Sequence, residues 1–238
     1  MYFISNQLDS NLNLRLSFNI SAKQPEIWNA NTGEIFDAII GEYKDGKTNL
    51  VLPLAANGSL FIVFRKPAKR FRYNEIFCQG LSSGFQMNDK WQIEFDTAYG
   101  GPKEMLVLDS LTDLSKHNNN NIKYYSGTAV YKNTFTLNRF TKAKVQLDKV
   151  YNLATVKVNG IDCGTIWTKP YELDISKAVK EGVNTIEIAV TNTWHNRLIG
   201  DHLLPENKRT TFTTAPFRLE GKALQPSGLV GDVTILAY

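Results

Sequence analysis

Residues Leu12–Ile20 read LNLRLSFNI, and apolar and polar side chains alternate along the whole stretch. Successive side chains of a β-strand point to opposite faces, so this alternation predicts a strand with one buried and one exposed face. The same alternation recurs at Trp91–Phe95 and at Ala154–Val158. The sequence therefore predicts a protein that is built mainly of half-buried β-strands.

Turn signals separate these strands. Three dipeptides are typical of β-hairpins because both of their residues tolerate positive φ, namely Asp45-Gly46, Asn57-Gly58 and Asn159-Gly160. Residues 60–64 read LFIVF and are apolar on both faces, which favours a central strand. Helical character is confined to Ile175–Glu181, which Gly182 ends. Because strands and helices do not alternate, a TIM barrel and a Rossmann fold are excluded.

The strands fall into two groups. Basic residues between Lys66 and Arg72 mark a solvated connection, so we expect a small antiparallel β unit over residues 1–72, truncated from a larger β domain. Over residues 73–238, many short strands with turn signals at intervals favour a β-sandwich or jelly roll. The predicted fold class is therefore all-β.

Composition excludes several classes of function. The net charge of +4 comes from 27 basic and 23 acidic side chains without a basic block, which argues against binding of nucleic acid or an anionic membrane surface. Apolar runs are too short for a membrane span. The N-terminus lacks the features of a signal peptide, which fits either a cytoplasmic protein or, as we prefer, a segment of a longer chain.

Motifs for catalysis and for metal binding are weak. Residues 80–84 read GLSSG and match the GxSxG pattern, but no helical periodicity follows the serine, so a linker is the better interpretation. Nothing pairs two carboxylates as glycoside hydrolysis requires, and we nominate no catalytic residue. Cys78 and Cys163 are far apart, which argues against a metal site and leaves a disulfide undecided. This fold class accommodates a structural Ca²⁺ ion, but the chain has no EF-hand-type ligand run.

Two segments, predicted to be loops, combine tryptophan with polar side chains. They are Gly164–Tyr171, which contains Trp167, and Thr193–His202, which contains Trp194. Sugars stack their CH faces on aromatic rings while their hydroxyl groups form hydrogen bonds, so both segments suit carbohydrate. In the alternative interpretation, the two tryptophans close the end of the sandwich, and Arg197 and Asp201 form a structural pair.

The stretch from Tyr124 to the C-terminus resembles the sugar-binding, galactose-binding-domain-like jelly roll of family 2 glycoside hydrolases. The residues that carry this resemblance are Tyr125–Phe135, Val156–Gly160, Pro170–Ile175, Glu181–Ile186 and Pro226–Val233. The chain is more closely similar to the C-terminal region of family 106 α-L-rhamnosidases. That resemblance rests on Tyr2–Asn6, Pro25–Trp28, Thr32-Gly33, Gly58–Arg65, Trp194–Asp201 and Leu224–Leu229.

The resemblance implies a non-catalytic accessory region of a larger, exported bacterial enzyme that acts on plant-type polysaccharide. The catalytic carboxylates of the family lie in a barrel that this sequence does not contain, so the implied partners are carbohydrate and that barrel. The loop of family 2 enzymes that matches Ile166–Tyr171 reaches toward the active site. The implied sugar-facing or barrel-facing residues are Trp167, Lys169, Tyr171, Trp194, His195, Asn196, Arg197, Asp201 and His202.

Three hypotheses stay open at this point. The chain is an accessory module that packs on a barrel and shapes substrate access, an autonomous carbohydrate-binding module, or a structural module whose aromatic residues form an interdomain contact. The sequence does not identify the sugar.

Overall fold

The computed structural model describes residues 1–38, 42–68, 83–87 and 90–238. The chain divides into two compact units. The first unit comprises Met1–Gly80 together with Thr168–Pro170, and the second comprises Leu81–Trp167 together with Tyr171–Tyr238. The predicted domain boundary at residue 72, the thiol of Cys78 and the centre of the GLSSG motif lie outside the described residues.

The first unit consists of two antiparallel sheets. Its strands are β1 (Tyr2–Ser5), β2 (Leu12–Phe18), β3 (Lys23–Trp28), β4 (Ile35–Asp37), β5 (Glu42–Lys44), β6 (Lys47–Leu54) and β7 (Ser59–Pro67). One sheet has the order β1-β7-β3-β4 and the other has the order β2-β6-β5. The alternation in β2 and the central position of β7 are both confirmed, and Ile62 at the middle of β7 is fully buried.

Two of the predicted hairpins form, and one does not. Asp45-Gly46 joins β5 to β6, which pair from Lys44 and Lys47 outward. The hairpin at Asn57-Gly58 is wrong, because β6 and β7 belong to different sheets. The positive φ of Asn57 instead turns the chain from one sheet to the other, and this function needs the same backbone conformation as a hairpin does.

The second unit is a sandwich of a six-stranded and a four-stranded sheet. Its strands are β8 (Ser83–Gln86), β9 (Trp91–Phe95), β10 (Leu106–Leu108), β11 (Thr128–Leu137), β12 (Ala143–Tyr151), β13 (Leu153–Val158), β14 (Ile161–Ile166), β15 (Glu172–Asp174), β16 (Gly182–Thr191) and β17 (Gly228–Ala237). The orders are β10-β9-β11-β16-β13-β14 and β15-β12-β17-β8. The Asn159-Gly160 hairpin joins β13 to β14 as predicted.

The inward faces of these two sheets form one core. Tyr131, Ile188 and Val156 of the larger sheet and Val145 and Ile235 of the smaller sheet are fully buried. At about 25 cal/mol per Å² of apolar surface, such side chains supply most of the favourable free energy of folding. The all-β class and the predicted sandwich are confirmed.

The helix predicted at Ile175–Glu181 is wrong. The segment forms a single turn, in which the N–H of Ala178 donates to the carbonyl oxygen of Ile175. Side chains compete with helical bonding here: Asp174 accepts from the N–H of Ser176, and buried Asn184 bonds to the backbone of Lys180 and Gly182. The α-helices in the described ranges are instead α1 (Asn120–Lys123) and α2 (His195–His202), and neither is long and apolar enough to cross a membrane.

Candidate functional site

The two tryptophan segments leave the six-stranded sheet at the same end. Strands β14 and β16 lie on either side of β13 and run in the same direction, and Ile166 and Val190 both pair with Ala154. Trp167 directly follows β14, and Trp194 follows β16. Two strand spacings, about 10 Å, separate the strands from which they emerge.

A third aromatic residue joins them at this end. Strand β9 ends at Phe95, opposite Ala129 near the start of β11, and a short 3-10 helix, Thr97–Tyr99, follows it. The rings of Tyr99 and Trp194 make an edge contact, with centroids 5.3 Å apart at 72°. We call Tyr99, Trp167 and Trp194 the aromatic rim.

The rim side chains are unusually accessible for aromatic residues. Trp167 is 61% exposed and Trp194 is 46% exposed, while Tyr99 is similarly half-exposed. Large aromatic side chains are highly buried on average, so their shared exposure at one end of a sandwich is characteristic of a binding surface. They do not close the end of the sandwich by burial.

Hydrogen bonds of Tyr125 and Asp96 fix the turn that carries Tyr99. The phenol of buried Tyr125 accepts from the N–H of Asp96 at 3.1 Å and donates to the carbonyl oxygen of Thr128 at 2.9 Å. Burial raises the pKa of Tyr125, so the phenol stays protonated and able to donate. The carboxylate of Asp96 caps the turn by accepting from the N–H of Ala98.

Trp194 is held by a helix that the sequence did not reveal. The segment Thr193–His202 was predicted to be a loop, but α2 occupies most of it. Its buried Asn196 donates to the carbonyl oxygen of Gln225 at 2.7 Å and accepts from the N–H of Gln225 at 2.8 Å. This reciprocal pair fixes the first turn of α2, and therefore Trp194, against the chain that enters β17.

Arg197 and Asp201 form a buried ion pair behind the rim. Their side chains are about 95% buried, and the Arg197 Nη1 to Asp201 Oδ1 distance is 3.5 Å. The guanidinium also contacts the turn after Tyr99, with Nη2 at 3.4 Å from the carbonyl oxygen of Gly100. These two predicted site residues therefore position the rim rather than face solvent.

Asp201 also organises the long segment that follows α2. Its carboxylate accepts from the backbone N–H groups of Thr210 and Thr211 at 3.1 and 2.8 Å and from the Thr211 hydroxyl at 2.6 Å. Charge-assisted bonds of this kind are stronger than neutral ones.

The two histidines of α2 contact the same segment. His195 Nε2 lies 3.0 Å from the carbonyl oxygen of Ala223, and His202 stacks on Phe217 at 3.8 Å. Both contacts hold the segment between α2 and β17 against the helix.

The remaining predicted residues take other positions. Tyr171 is half-buried against the core of the second unit. Lys169 lies in the segment that groups with the first unit, where its Nζ is 2.6 Å from Asp9 Oδ1 and its hydrogen bond lowers the pKa of Asp9. Residues Gly164–Ile166 belong to β14, so the predicted loop begins only at Trp167.

Metal-binding side chains are not gathered into one group among the described residues. Within them, no group of three His, Cys, Asp or Glu side chains could hold a metal ion. The carboxylates of Asp113, Asp162 and Asp174 each accept a backbone N–H in a turn, which is a structural function. The Ca²⁺ ion considered from the sequence stays a prediction.

Tyr99 is the one rim residue that sequence reasoning missed. Its signal was present as a capping aspartate, Asp96, followed by the Gly100-Gly101 turn. That signal predicts a turn but not which strand end it faces. The antiparallel pairing of β9 with β11 supplies that information.

The fold defines a class of protein, an all-β region of two units, and the sandwich of the second unit presents three exposed aromatic residues at one end. Residues 104–217 match the family described as Glycosyl hydrolase 2 galactose-binding domain-like.

The structure of a rhamnosidase from Novosphingobium sp. PP1Y is similar to 98% of this chain, with a TM-score of 0.86 and 34% sequence identity. A protein of Formosa agariphila, provisionally named a beta-glucuronidase, is 36% identical over 150 residues, or 58% of this chain. The chain spans 22% of the rhamnosidase and 12% of the Formosa protein. The predicted resemblance to the accessory β domains of a glycoside hydrolase is confirmed.

Proposed function

We propose that this chain is the non-catalytic, sugar-contacting accessory region of an α-L-rhamnosidase-like glycoside hydrolase, and that the aromatic rim is its sugar-contacting surface. The half-exposed Tyr99–Trp194 pair carries this proposal. An aromatic ring offers its face to the CH groups of a pyranose, and burial of that surface stabilises the complex.

The surroundings of Trp194 supply hydrogen-bonding groups as well. The exposed hydroxyl of Thr193, the residue before Trp194, donates to the exposed side-chain oxygen of Gln225 at 3.0 Å. An exposed hydroxyl and an exposed amide can form hydrogen bonds with the hydroxyl groups of a sugar. Hydrogen bonds of Asn196 with Gln225 and of Arg197 with Gly100 already hold the backbone that carries Trp194 and Tyr99. Sugar binding therefore requires little further ordering of the rim.

Titration calorimetry with L-rhamnose and with rhamnose-containing pectic oligosaccharides tests the proposal. We expect Trp194→Ala to weaken binding by about tenfold, equivalent to about 1.4 kcal/mol, because the stacking surface is removed. Phe212→Ala is the matched control, since Phe212 is 91% exposed in the same unit but is not a rim residue. Equal affinity in wild type and Trp194→Ala, or equal losses in both variants, would contradict the proposal.

The catalytic step belongs, in this proposal, to another domain of an exported bacterial enzyme that acts on plant-type polysaccharide. The isolated chain is then expected to release no nitrophenol from p-nitrophenyl α-L-rhamnoside. Turnover that a single carboxylate substitution abolishes would refute the non-catalytic assignment.

A second candidate function rests on the segment after α2. Leu203 and Phe212 are strongly exposed, although Asp201 holds this segment in place. A fixed segment with exposed apolar side chains suits contact with the catalytic domain. In the whole enzyme, Phe212→Ala would then lower the unfolding temperature that differential scanning calorimetry measures. In the isolated chain, the same substitution should leave the affinity for sugar unchanged in titration calorimetry.

A further inference from the structure

The four-stranded sheet of the first unit carries a row of apolar side chains on its outer face. In this sheet Phe3 pairs with Phe61, Phe61 pairs with Trp28, and Trp28 pairs with Ile35. Residues that lie directly opposite each other in an antiparallel sheet share a face, so the four side chains form one line across all four strands. We call Phe3, Phe61, Trp28 and Ile35 the apolar row.

Strand alternation places this row away from the core of the unit. Leu60, Ile62 and Ile27 are buried in that core, and each is a neighbour in sequence of a row residue. Neighbours in a strand point to opposite faces, so the row lies on the other side of the sheet. Phe3 is 61% exposed, Ile35 is about half exposed, and Phe61 and Trp28 are half-buried.

Polar groups border the row on both sides. Ser5 and Ser59 pair with each other on one side. On the other side Val63, Glu26 and Asp37 form the next line, and Arg65 and Lys66 reach over it. Arg65 Nε lies 2.6 Å from Glu26 Oε2, and Lys66 contacts both carboxylates, so two acidic and two basic groups balance in charge.

The Trp28 ring is held in one orientation by this border. Its Nε1 donates to Glu26 Oε2 at 3.3 Å, and the Arg65 guanidinium carbon lies 5.1 Å from the ring centroid. A cation over an indole face and a hydrogen bond from its nitrogen both restrict ring motion. The row therefore combines a fixed indole ring with adjacent polar and charged groups.

The size of the row decides which kind of partner it fits. Three strand spacings give a length of roughly 14 Å, and the repeat of same-face residues along a strand gives a width of roughly 7 Å. The product, on the order of 100 Å², is far below the roughly 800 Å² that each partner contributes to a stable protein–protein interface. A narrow, mainly aromatic line with hydroxyl groups on one side and charged groups on the other fits a sugar chain.

We propose that the apolar row is a second carbohydrate-binding surface, which takes a neutral oligosaccharide chain lying across the four strands. Neutral sugar is favoured because the two acidic and two basic side chains described beside the row already pair with one another. The proposal does not depend on the aromatic rim, which belongs to the other unit.

Native affinity electrophoresis with soluble arabinogalactan, xyloglucan and polygalacturonate tests this surface. We expect a neutral polysaccharide to retard the chain, and we expect Phe3→Ala with Ile35→Ala to weaken that retardation at least fivefold. The matched control combines Phe212→Ala with Val51→Ala, which remove the same kinds of side chain from exposed positions outside the row. Unfolding temperatures of both double variants verify that they are folded, and Ile35→Ala alone replaces the double variant if it is not.

Four outcomes would overturn the proposal: no retardation by either neutral polysaccharide, retardation by polygalacturonate alone, equal retardation of the row variant and the wild type, or a dimer in sedimentation that Phe3→Ala dissociates. The last outcome would assign the row to self-association. Trp194→Ala is run beside these variants, because loss of rim binding with retained retardation, or the reverse, distinguishes failure of one proposal from failure of the other.

Discussion

The aromatic rim of the second unit and the apolar row of the first unit present similar side chains to solvent, but different interactions position them. Strand register places the row, since its four members are neighbours across one sheet. The rim comprises residues from three separate connections, and buried polar groups on α2 and Tyr125 fix two of them. A surface that strand pairing places should tolerate the loss of a polar contact, whereas a surface that buried hydrogen bonds and ion pairs hold in place should not.

The largest effect that separates the two surfaces is expected at Asp201. Asp201→Ala leaves the Arg197 guanidinium buried without its carboxylate and should destabilise the second unit by about 3 kcal/mol. Urea unfolding measures this loss, with Asp162→Ala as the control because Asp162 makes only an exposed turn contact. Sugar binding at the rim should fall as well, while retardation through the row should persist. Losses of the same size in the two variants would show that the buried pair does not hold the rim.

A smaller effect is expected where Arg197 meets the turn after Tyr99. Gly100 has a φ of 75°, and a Cβ there would lie 3.1 Å from the Arg197 guanidinium carbon. Gly160 has a φ of 79° with nothing within 4 Å of the same position. Gly160→Ala should therefore cost only about 1 kcal/mol of backbone strain. Gly100→Ala should cost at least about 1 kcal/mol more because it also overpacks.

Thermal unfolding and the near-ultraviolet circular dichroism of the Tyr99–Trp194 pair check this difference. Equal costs at the two glycines would mean that Arg197 moves aside without consequence, and the assignment of Arg197 as a positioning residue would then fail.

The smallest effect concerns the border of the row and depends on pH. Hydrogen bonds from Arg65 and then Lys66 lower the pKa of Glu26 from its ordinary 4.5 to about 2. A depressed pKa means that the ionised carboxylate stabilises the fold above about pH 4.5, and that this stability is lost as the pH falls toward 2. The effect is modest because Arg65 and Lys66 are half-exposed and solvent screens them.

Unfolding temperatures measured between pH 2 and pH 6 check this expectation. Glu26→Gln should show a weaker dependence on pH in the acid range than the wild type. Glu94→Gln is the control, because Glu94 forms an exposed ion pair with Lys132. If Glu26→Gln and wild type lost stability in parallel, Glu26 would not be the group responsible.

Local patterns predicted much of this molecule and failed at identifiable places. Alternation predicted β2 and β9, and positive-φ dipeptides predicted two hairpins correctly. The third dipeptide, Asn57-Gly58, shows that a turn conformation does not specify which sheet the next strand joins. Loop closure and core packing decide that choice, and both depend on residues distant in sequence.

Helix α2 is the clearest case of structure set by tertiary contacts. Its sequence includes Gly200, which weakens a helix by roughly 1 kcal/mol relative to alanine. The glycine is required because a Cβ there would lie 2.6 Å from the Tyr124 side chain. Close packing on Tyr124 and the hydrogen bonds of Asn196 with Gln225 stabilise a helix that intrinsic helix propensity does not favour.

The sequence by itself determined the all-β class, the strand alternation and the resemblance to glycoside hydrolase accessory domains, because period and turn chemistry are local properties. Only the tertiary structure decided that Arg197 and Asp201 lie buried while Tyr99, Trp167 and Trp194 share one exposed end. Exposure depends on which strand ends are neighbours and on what packs behind them, and both are settled by pairings between residues far apart in the chain.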